Sequence, residues 1–445
     1  MGIGGIGMSG LATILQERGL AVDGCDVRAH VRHAAFQRHR IPVAAGHDLS
    51  HLSDEVGLVV FSSAIDPGEP ELLAARARGI ETISRGQCLA ELASHATLVA
   101  VAGAHGKTTT SGMAAQLLIQ AGWDPTVLVG GHVFSLGSNA RSGRGRYLVA
   151  ETDESDGSFL FLHPSVAIVT NIDREHLNYY QTFDKLIKVF QQFVNQLEPE
   201  GTLIRCEDDP IIRRALCHPS QISYGFAPQA DVRAVSITPC GWGSLFTAQY
   251  QGQRLGTFRL CVPGRHNVLN ALAIISLGIV LDLPLVVIRE ALEAYRGTAR
   301  RFQVTKLPRN IWFVDDYAHH PTEIRATLEA DSGSGRHRIA VFQPHRFSRT
   351  KLLEEEFASC FDAADGVIVT DIYPAFESPI PGVSGERLAT LMKAHGHPCV
   401  RYVPWQELPT HLTHALQPSD TVFFLGAGTI GQLCHDLAHQ LRTSH

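Results

Sequence analysis

The residues best equipped for chemistry are Gly103-Ala104-His105-Gly106-Lys107-Thr108-Thr109, set between an apolar run, Leu98–Ala102, and a helical stretch reaching about Ala121. Glycines let backbone N–H groups face phosphate oxygens, a lysine reaches the outer phosphates, and a threonine hydroxyl can ligate Mg²⁺. A glycine–lysine pair alone is common in any sequence. With a strand before it and a helix after it, the segment reads as a nucleoside triphosphate site. It is a short version, because Val101 stands where a longer phosphate loop has one more glycine.

Mg²⁺ on a triphosphate wants hard oxygen donors and takes a histidine only when geometry forces it. Two candidates follow strand-like runs: Glu151, which opens Glu-Thr-Asp-Glu-Ser-Asp, and His176, which closes Thr-Asn-Ile-Asp-Arg-Glu-His. Such an acidic run is more often a solvated loop, but its position directly after an apolar strand favours a metal ligand. Asp315-Asp316-Tyr317-Ala318-His319-His320-Pro321 follows another strand. Adjacent histidines in a loop diverge, so a ribose or polar substrate contact is expected there rather than a metal pair. In His345-Arg346-Phe347-Ser348-Arg349, two guanidinium groups stand three apart and can clamp a carboxylate or phosphate; a basic surface turn is the alternative.

These segments need elements to hold them. Gly2-Ile3-Gly4-Gly5-Ile6-Gly7 leads into a helix over Met8–Arg18 and a strand that begins Leu20-Ala21-Val22 and ends at Asp26, which reads as a Rossmann-like start. A glycine turn of this kind normally follows a buried strand. Here only Met1 precedes it, so that strand is supplied by another segment or lies upstream. Strands are expected at 147–150 and 167–170, a helix at 183–197, and an antiparallel sheet over 231–262, where apolar and polar residues alternate. Helices resume at Asn267. Strands at 311–314, 339–342, 366–370 and 421–425 then alternate with helical segments. The fold class is α/β in three domains: an N-terminal Rossmann-like domain (1–95), a central P-loop ATPase-type domain with a small antiparallel sheet (96–298), and a C-terminal Rossmann-like domain (299–445).

Bulk properties narrow the class. The 445 residues are 44% hydrophobic and 18% charged, which describes a globular chain rather than a disordered one. A net charge of -6 argues against a nucleic-acid partner. Nine cysteines without a CxxC pair indicate neither a zinc cluster nor a disulfide framework, and a reducing cytoplasm fits them. No signal peptide is evident. The apolar stretch 268–288 is broken by Asn270, Asp282 and Pro284, so a buried helix and a turn are expected instead of a membrane span.

Taken in order, these motifs resemble the Mur ligase family over essentially the whole chain. The carrying segments are Gly2–Gly10, Gly103–Thr110, Asp153–Phe159, Thr170–His176, His266–Asn270, Asp316–Pro321, His345–Arg349 and Tyr373-Pro374-Ala375. Within the family, the likeness is to the branch joining L-alanine to the lactyl carboxylate of UDP-N-acetylmuramate, with ATP and Mg²⁺, in cytoplasmic synthesis of peptidoglycan precursors. The resemblance implies an acyl-phosphate intermediate and a C-terminal domain that closes over the nucleotide. It also implies roles. Gly4, Gly5, Ile6, Gly7, Asp26 and Ser63 would bind the UDP-sugar. Gly103 to Thr109, Asn267, Asn270, Arg301 and Asp316 would bind ATP. Thr108, Glu151 and His176 would hold Mg²⁺, and His319, His345, Arg346 and Arg349 would take L-alanine. Lys107, His176, His319 and Arg346 would be catalytic. A homodimer is left open.

The chain departs from the family pattern at Ala104, where Thr is usual, and at Gly68, where Asn is usual. Three other readings stand beside this one. A recycling ligase would attach a preformed tripeptide to the same sugar, but Arg346, Arg349 and the 373–382 segment favour the alanine branch. An NAD-dependent oxidoreductase would use the first glycine turn with Asp26 and leave Lys107 unexplained. An idle nucleotide sensor would not need the metal residues.

Overall fold

The computed structural model describes residues 1–27, 34–331 and 335–443. The three α/β domains fall into two compact units. The first holds 1–238, 245–261 and 267–296, and the second holds 239–244, 262–266 and 297–445.

In the N-terminal domain two parallel strand pairs form, Gly24–Asp26 with Val43–Ala45 and Leu58–Phe61 with Glu81–Ser84. The first residues run between them. The Gly2 N–H donates to the Cys25 carbonyl at 2.8 Å, the Met1 nitrogen to the Val60 carbonyl at 2.7 Å, and the Ser62 N–H to the Met1 carbonyl at 3.2 Å. Met1–Ile3 thus provides the backbone leading into the glycine turn, with Gly2 at φ +72°. Of the strand expected from Leu20 to Asp26, the last three residues, Gly24–Asp26, form it. Ile3 packs closely there: its Cδ1 sits 2.4 Å from where a Gly24 side chain would begin, so the close approach occurs at the glycine.

Helix Ile6–Glu17 starts at this turn and buries Met8 through Ile14. It packs on strands Thr126–Val133 and Ser138–Arg141 of the central domain. A Cβ on Gly10 would lie 2.3 Å from Leu128 Cδ1, and Asn139 donates to the Ile6 carbonyl at 2.9 Å.

The central domain is built on a ten-stranded sheet. Its parallel heart runs Thr202–Cys206, Val166–Val169, Thr97–Ala102, Tyr147–Glu151 and Thr126–Val133. Thr97–Ala102 lies in the middle, and Leu98 through Ala102 are almost wholly buried, as a strand covered on both faces requires. At the far edge, strands Val232–Pro239, Ser244–Tyr250 and Gln253–Leu260 are joined by turns at 240–243 and 251–252. Connections that short make hairpins, because parallel neighbours need a long crossover. The apolar stretch after Asn267 resolves into the buried helix Arg265–Val280, a turn through Asp282, and helix Leu285–Ala294 with Pro284 at its cap. Among the described residues no helix is long and apolar enough to cross a membrane.

The C-terminal domain has a six-stranded sheet in the order Gln303–Lys306, Trp312–Asp316, Thr421–Leu425, Arg338–Phe342, Gly366–Val369, Val400–Tyr402. The first strand is antiparallel to its neighbour and the others are parallel. One apolar layer, around Phe342, Phe357 and Phe361, covers one set of side chains, and a second, around Phe313, Phe424 and Leu437, covers the other. Trp312–Asp316 and Arg338–Phe342 deliver the loops that carry Tyr317–His320 and His345–Arg349.

Candidate active site

The phosphate loop leaves the end of strand Thr97–Ala102. Gly103 adopts φ +134° and Gly106 φ +80°, in the region that side chains disfavour. Space reinforces the choice. A Cβ at Gly103 would fall 2.1 Å from Thr170 Oγ1, and one at Gly106 would fall 2.7 Å from Asn270 Oδ1.

The loop is gripped by the segment after strand Val166–Val169. Asn171 accepts the His105 N–H at 2.7 Å and donates to the His105 carbonyl at 2.9 Å, and the Thr170 hydroxyl donates to the same carbonyl at 2.6 Å. The His105 ring meets Asp173 at 2.9 Å. Ala104 needs no hydroxyl to hold its place, because its N–H donates to the Asn171 carbonyl at 3.1 Å.

Lys107 opens helix Lys107–Gln120, and its Nζ lies 2.6 Å from Glu154 Oε1. Burial works against the Lys107 charge, but Glu154, then Glu151 and Glu175, outweigh it and raise the pKa above that of an ordinary lysine. The Thr108 hydroxyl donates to Glu151 Oε1 at 3.0 Å, and the Gly130 N–H to Glu151 Oε2 at 2.6 Å. His176 Nε2 is 3.5 Å from Glu154 and 3.7 Å from Glu175. The metal set read from the sequence therefore divides into two neighbouring groups, Thr108–Glu151 and His176 with two further carboxylates. Glu154, Glu175 and His176 each bring a donor atom within 4.8 Å of the others. Glu154 Oε2 is buried with no hydrogen-bond partner among the described residues, an arrangement that a cation would complete. Carboxylate oxygens with one imidazole form a donor set that fits a divalent ion.

Asn267 and Asn270 project from helix Arg265–Val280, with Asn270 Nδ2 donating to Asn267 Oδ1 at 3.3 Å. This brings both amides to the phosphate loop, since Asn270 is the neighbour of Gly106. At the first glycine turn, the Gly4 N–H donates to Asp26 Oδ2 at 2.9 Å, and Gly5 caps helix Ile6–Glu17. Ile6 is exposed, and Ser63 lies exposed in the turn after strand Leu58–Phe61. Beside Gly7 lies Arg85, whose Cδ is 3.2 Å from the position of a Gly7 Cβ and whose Nη2 reaches Asp153 at 3.0 Å.

The second unit holds the remaining candidates. Asp316 is turned inward and accepts from the Ala318 N–H at 2.8 Å, the Phe302 N–H at 2.9 Å and the Thr327 hydroxyl at 3.3 Å. Burial raises its pKa to about 6 despite Arg301 nearby. Arg301 and Arg300 lie 5.2 and 5.1 Å from the Tyr317 ring centre. His319 Nδ1 faces two acceptors, the Tyr317 carbonyl at 2.9 Å and Glu323 at 3.3 Å, so that nitrogen carries a proton. His345 stacks on Tyr373, with ring centres 5.6 Å apart, and meets the His319 ring edge-on at 5.9 Å. Arg349 Nη1 lies 3.2 Å from His345 Nδ1. An arginine can only donate, so His345 Nδ1 is the acceptor and the imidazole is neutral. Burial first, then His319, Arg349, Arg346 and Arg300, push the His345 pKa down to about 3. Arg346 has φ +70°, and its buried Nε finds no hydrogen-bond partner among the described residues.

The residues missed from sequence are Arg85, Glu154, Asn171 and Glu175. Glu154 had a signal, the acidic run after strand Tyr147–Glu151. Glu175 sits beside the chosen His176, while Arg85 and Asn171 become visible only through contacts far along the chain.

Residues 1–97 match the family model described as Mur ligase family, catalytic domain. Residues 101–278 match the Mur ligase middle domain, and 300–428 match the Mur ligase, glutamate ligase domain. The chain is 43% identical to a UDP-N-acetylmuramate–L-alanine ligase of Geotalea uraniireducens over 99% of its own length and 97% of the relative's. Among solved structures it is similar to the UDP-N-acetylmuramate-alanine ligase of Thermotoga maritima, with TM-score 0.86, 28% identity, and 100% and 98% of the two chains covered. A murein peptide ligase from Psychrobacter arcticus shares the fold at TM-score 0.72 and 22% identity, covering 99% and 97% of the two chains. With identity of this level across the full length, and a model matching each domain in turn, the chain belongs to the Mur ligase family.

Proposed function

We propose that this chain joins L-alanine to the lactyl carboxylate of UDP-N-acetylmuramate at the expense of ATP, in cytoplasmic synthesis of peptidoglycan precursors. The observation that carries the reading is the phosphate loop whose Lys107 already faces Glu154, in contact with His176. The full-length likeness to alanine ligases supports the choice of amino acid. Domains 1–95, 96–298 and 299–445 take the sugar nucleotide, ATP and the amino acid respectively.

In this reading, the sugar carboxylate attacks the γ-phosphorus of ATP, giving an acyl phosphate and ADP. The amine of L-alanine attacks the activated carbonyl, and inorganic phosphate leaves. Gly103 to Thr109 cradle the phosphates, Asn267 and Asn270 serve the adenine, and Arg301 and Asp316 are the further ATP-binding residues that the family likeness implies. Lys107 neutralises charge as two anions approach. Thr108, Glu151 and His176, with Glu154 and Glu175, would hold Mg²⁺. When bound, that ion supplies further neutralisation of the phosphates. Gly4, Gly5, Ile6, Gly7, Asp26 and Ser63 bind the UDP-sugar, with Arg85 as a cation beside the turn. Arg346 and Arg349 take the alanine carboxylate, with His319 and His345 beside them and His319 handling the proton.

The test is phosphate release by the purified chain with ATP, Mg²⁺, UDP-N-acetylmuramate and L-alanine. Release that depends on all of them is expected. Release with a tripeptide but not with L-alanine would move the chain to the recycling branch, and no release with either would remove the reading.

A further inference from the structure

Away from the phosphate loop, three elements of the N-terminal domain bring together a thiol, two imidazoles and a carboxylate. Cys25 lies on strand Gly24–Asp26, His47 and His51 flank the short turn after strand Val43–Ala45, and Glu71 lies in the first turn of helix Pro70–Ala77. Asp48 caps that short turn by accepting the Ser50 N–H at 2.8 Å, which fixes where both histidines begin. We propose that Cys25 Sγ, His47 Nδ1 and Glu71 Oε2 form a binding site for a zinc-like divalent cation, with His51 bracing the second carboxylate oxygen.

The geometry carries the argument. Sγ to His47 Nδ1 is 3.2 Å, Sγ to Glu71 Oε2 is 3.4 Å, and His47 Nδ1 to Glu71 Oε2 is 3.4 Å. A tetrahedral ion with metal–sulfur bonds of about 2.3 Å and metal–nitrogen or –oxygen bonds of about 2.0–2.1 Å needs donors roughly 3.3–3.6 Å apart. The three donors thus already form one face of such a tetrahedron, with the fourth corner for water. His51 Nδ1 meets Glu71 Oε1 at 3.2 Å, the outer contact that orients a ligating carboxylate.

Charge and burial agree. Glu71 is 3% exposed; its ion-pair partners among the described residues are these two histidines, and the Met1 ammonium adds a positive field at Glu71 and Cys25. A buried carboxylate gains from a cation held directly against it. A donor set of one thiol, one imidazole and one carboxylate favours zinc over magnesium or calcium. A thiol that ligates such an ion does so as the thiolate, so binding here releases the Cys25 proton. The ion would tie strand, turn and helix together next to the first glycine turn, because the Cys25 carbonyl accepts the N–H groups of Gly2 and Ile3.

The test uses the full chain, stripped with a chelator and titrated with Zn²⁺ and, separately, Co²⁺. One equivalent of Zn²⁺ should bind in competition with a chromophoric chelator and raise the unfolding temperature. In weak buffer near neutral pH it should release about one proton. Co²⁺ should give a sulfur-to-metal charge-transfer band, which binding at Glu154, Glu175 and His176 cannot produce because that group holds no sulfur. Cys25→Ser should remove the band and the zinc-dependent rise in unfolding temperature. His51→Ala, at a partly exposed position, should keep the band while weakening Zn²⁺ by roughly 10–100-fold. Absence of a stoichiometric ion in the parent chain, or an unchanged band in Cys25→Ser, overturns the proposal. Wild-type zinc affinity in His51→Ala overturns the bracing role.

Discussion

Lys107 is the side chain on which the proposed chemistry leans most. Its ammonium is held by Glu154 at 2.6 Å and must exchange that partner for phosphate oxygens when nucleotide arrives. Lys107→Ala should lower the rate of phosphate release by at least roughly 100-fold, the scale seen when one transition-state donor is removed. A rate within a few-fold of the parent would defeat the mechanism. Arg346 is the corresponding bet at the amino-acid end, because its buried Nε has no acceptor among the described residues. A charge-assisted hydrogen bond is worth about 1.5–3 kcal/mol, so Arg346→Ala should raise KM for L-alanine by roughly 10–100-fold. An unchanged KM would show that the carboxylate binds elsewhere.

His345 gives a prediction about pH. Its folded pKa, about 3, lies below the 6.5 of the free imidazole, so between those values the unfolded chain binds the extra proton. Stability is therefore whole above the unfolded value and is lost as pH falls from about 6.5 toward 3. Between about pH 7 and pH 5, the urea midpoint should fall further in the parent than in His345→Gln. Equal falls in the two proteins would mean that the imidazole is not held neutral.

At the level of elements, the phosphate loop was legible because its chemistry is local. A strand, two glycines, a lysine and a helix occupy consecutive residues. Its rigidity was not, since Thr170 and Asn171 grip it from more than sixty residues away. Gly103→Ala tests that grip. The new methyl would meet Thr170 Oγ1 at 2.1 Å, in a backbone conformation that costs a side chain on the order of 1–3 kcal/mol. ATP affinity should collapse, and adding Thr170→Ala should not restore it, because the backbone angle and the Asn171 main chain at 3.0 Å remain. Recovery in the double variant would place the whole penalty on the hydroxyl. The first strand was legible in its end and not in its start. The run read from Leu20 to Asp26 narrows to its last three residues, where Ile3 packs against the bare backbone of Gly24. The Cys25 cluster was invisible to spacing rules, because its donors come from three elements and include one cysteine.

For the whole molecule, nucleotide binding should stabilise one unit before the other. Unit one carries the phosphate loop with Asn267 and Asn270. ADP with Mg²⁺ at about 100 times its Kd should add about 2.7 kcal/mol to whatever cooperative transition contains that loop. Hydrogen exchange read along the chain would show it. Protection confined to residues after 297, with none around 103–109, would contradict the assignment of the nucleotide site.

The contact between helix Ile6–Glu17 and strands Thr126–Val133 and Ser138–Arg141 bears on how such chains can be recombined. Gly10 fits against Leu128 with no room for even a methyl group, and Asn139 fastens the carbonyl of Ile6. A graft that replaced 1–95 by the matching piece of a relative would bring a foreign helix face onto a native hairpin. The natural seam for swapping donor specificity therefore runs around 126–141 as well, and both pieces should be transplanted as a single cassette.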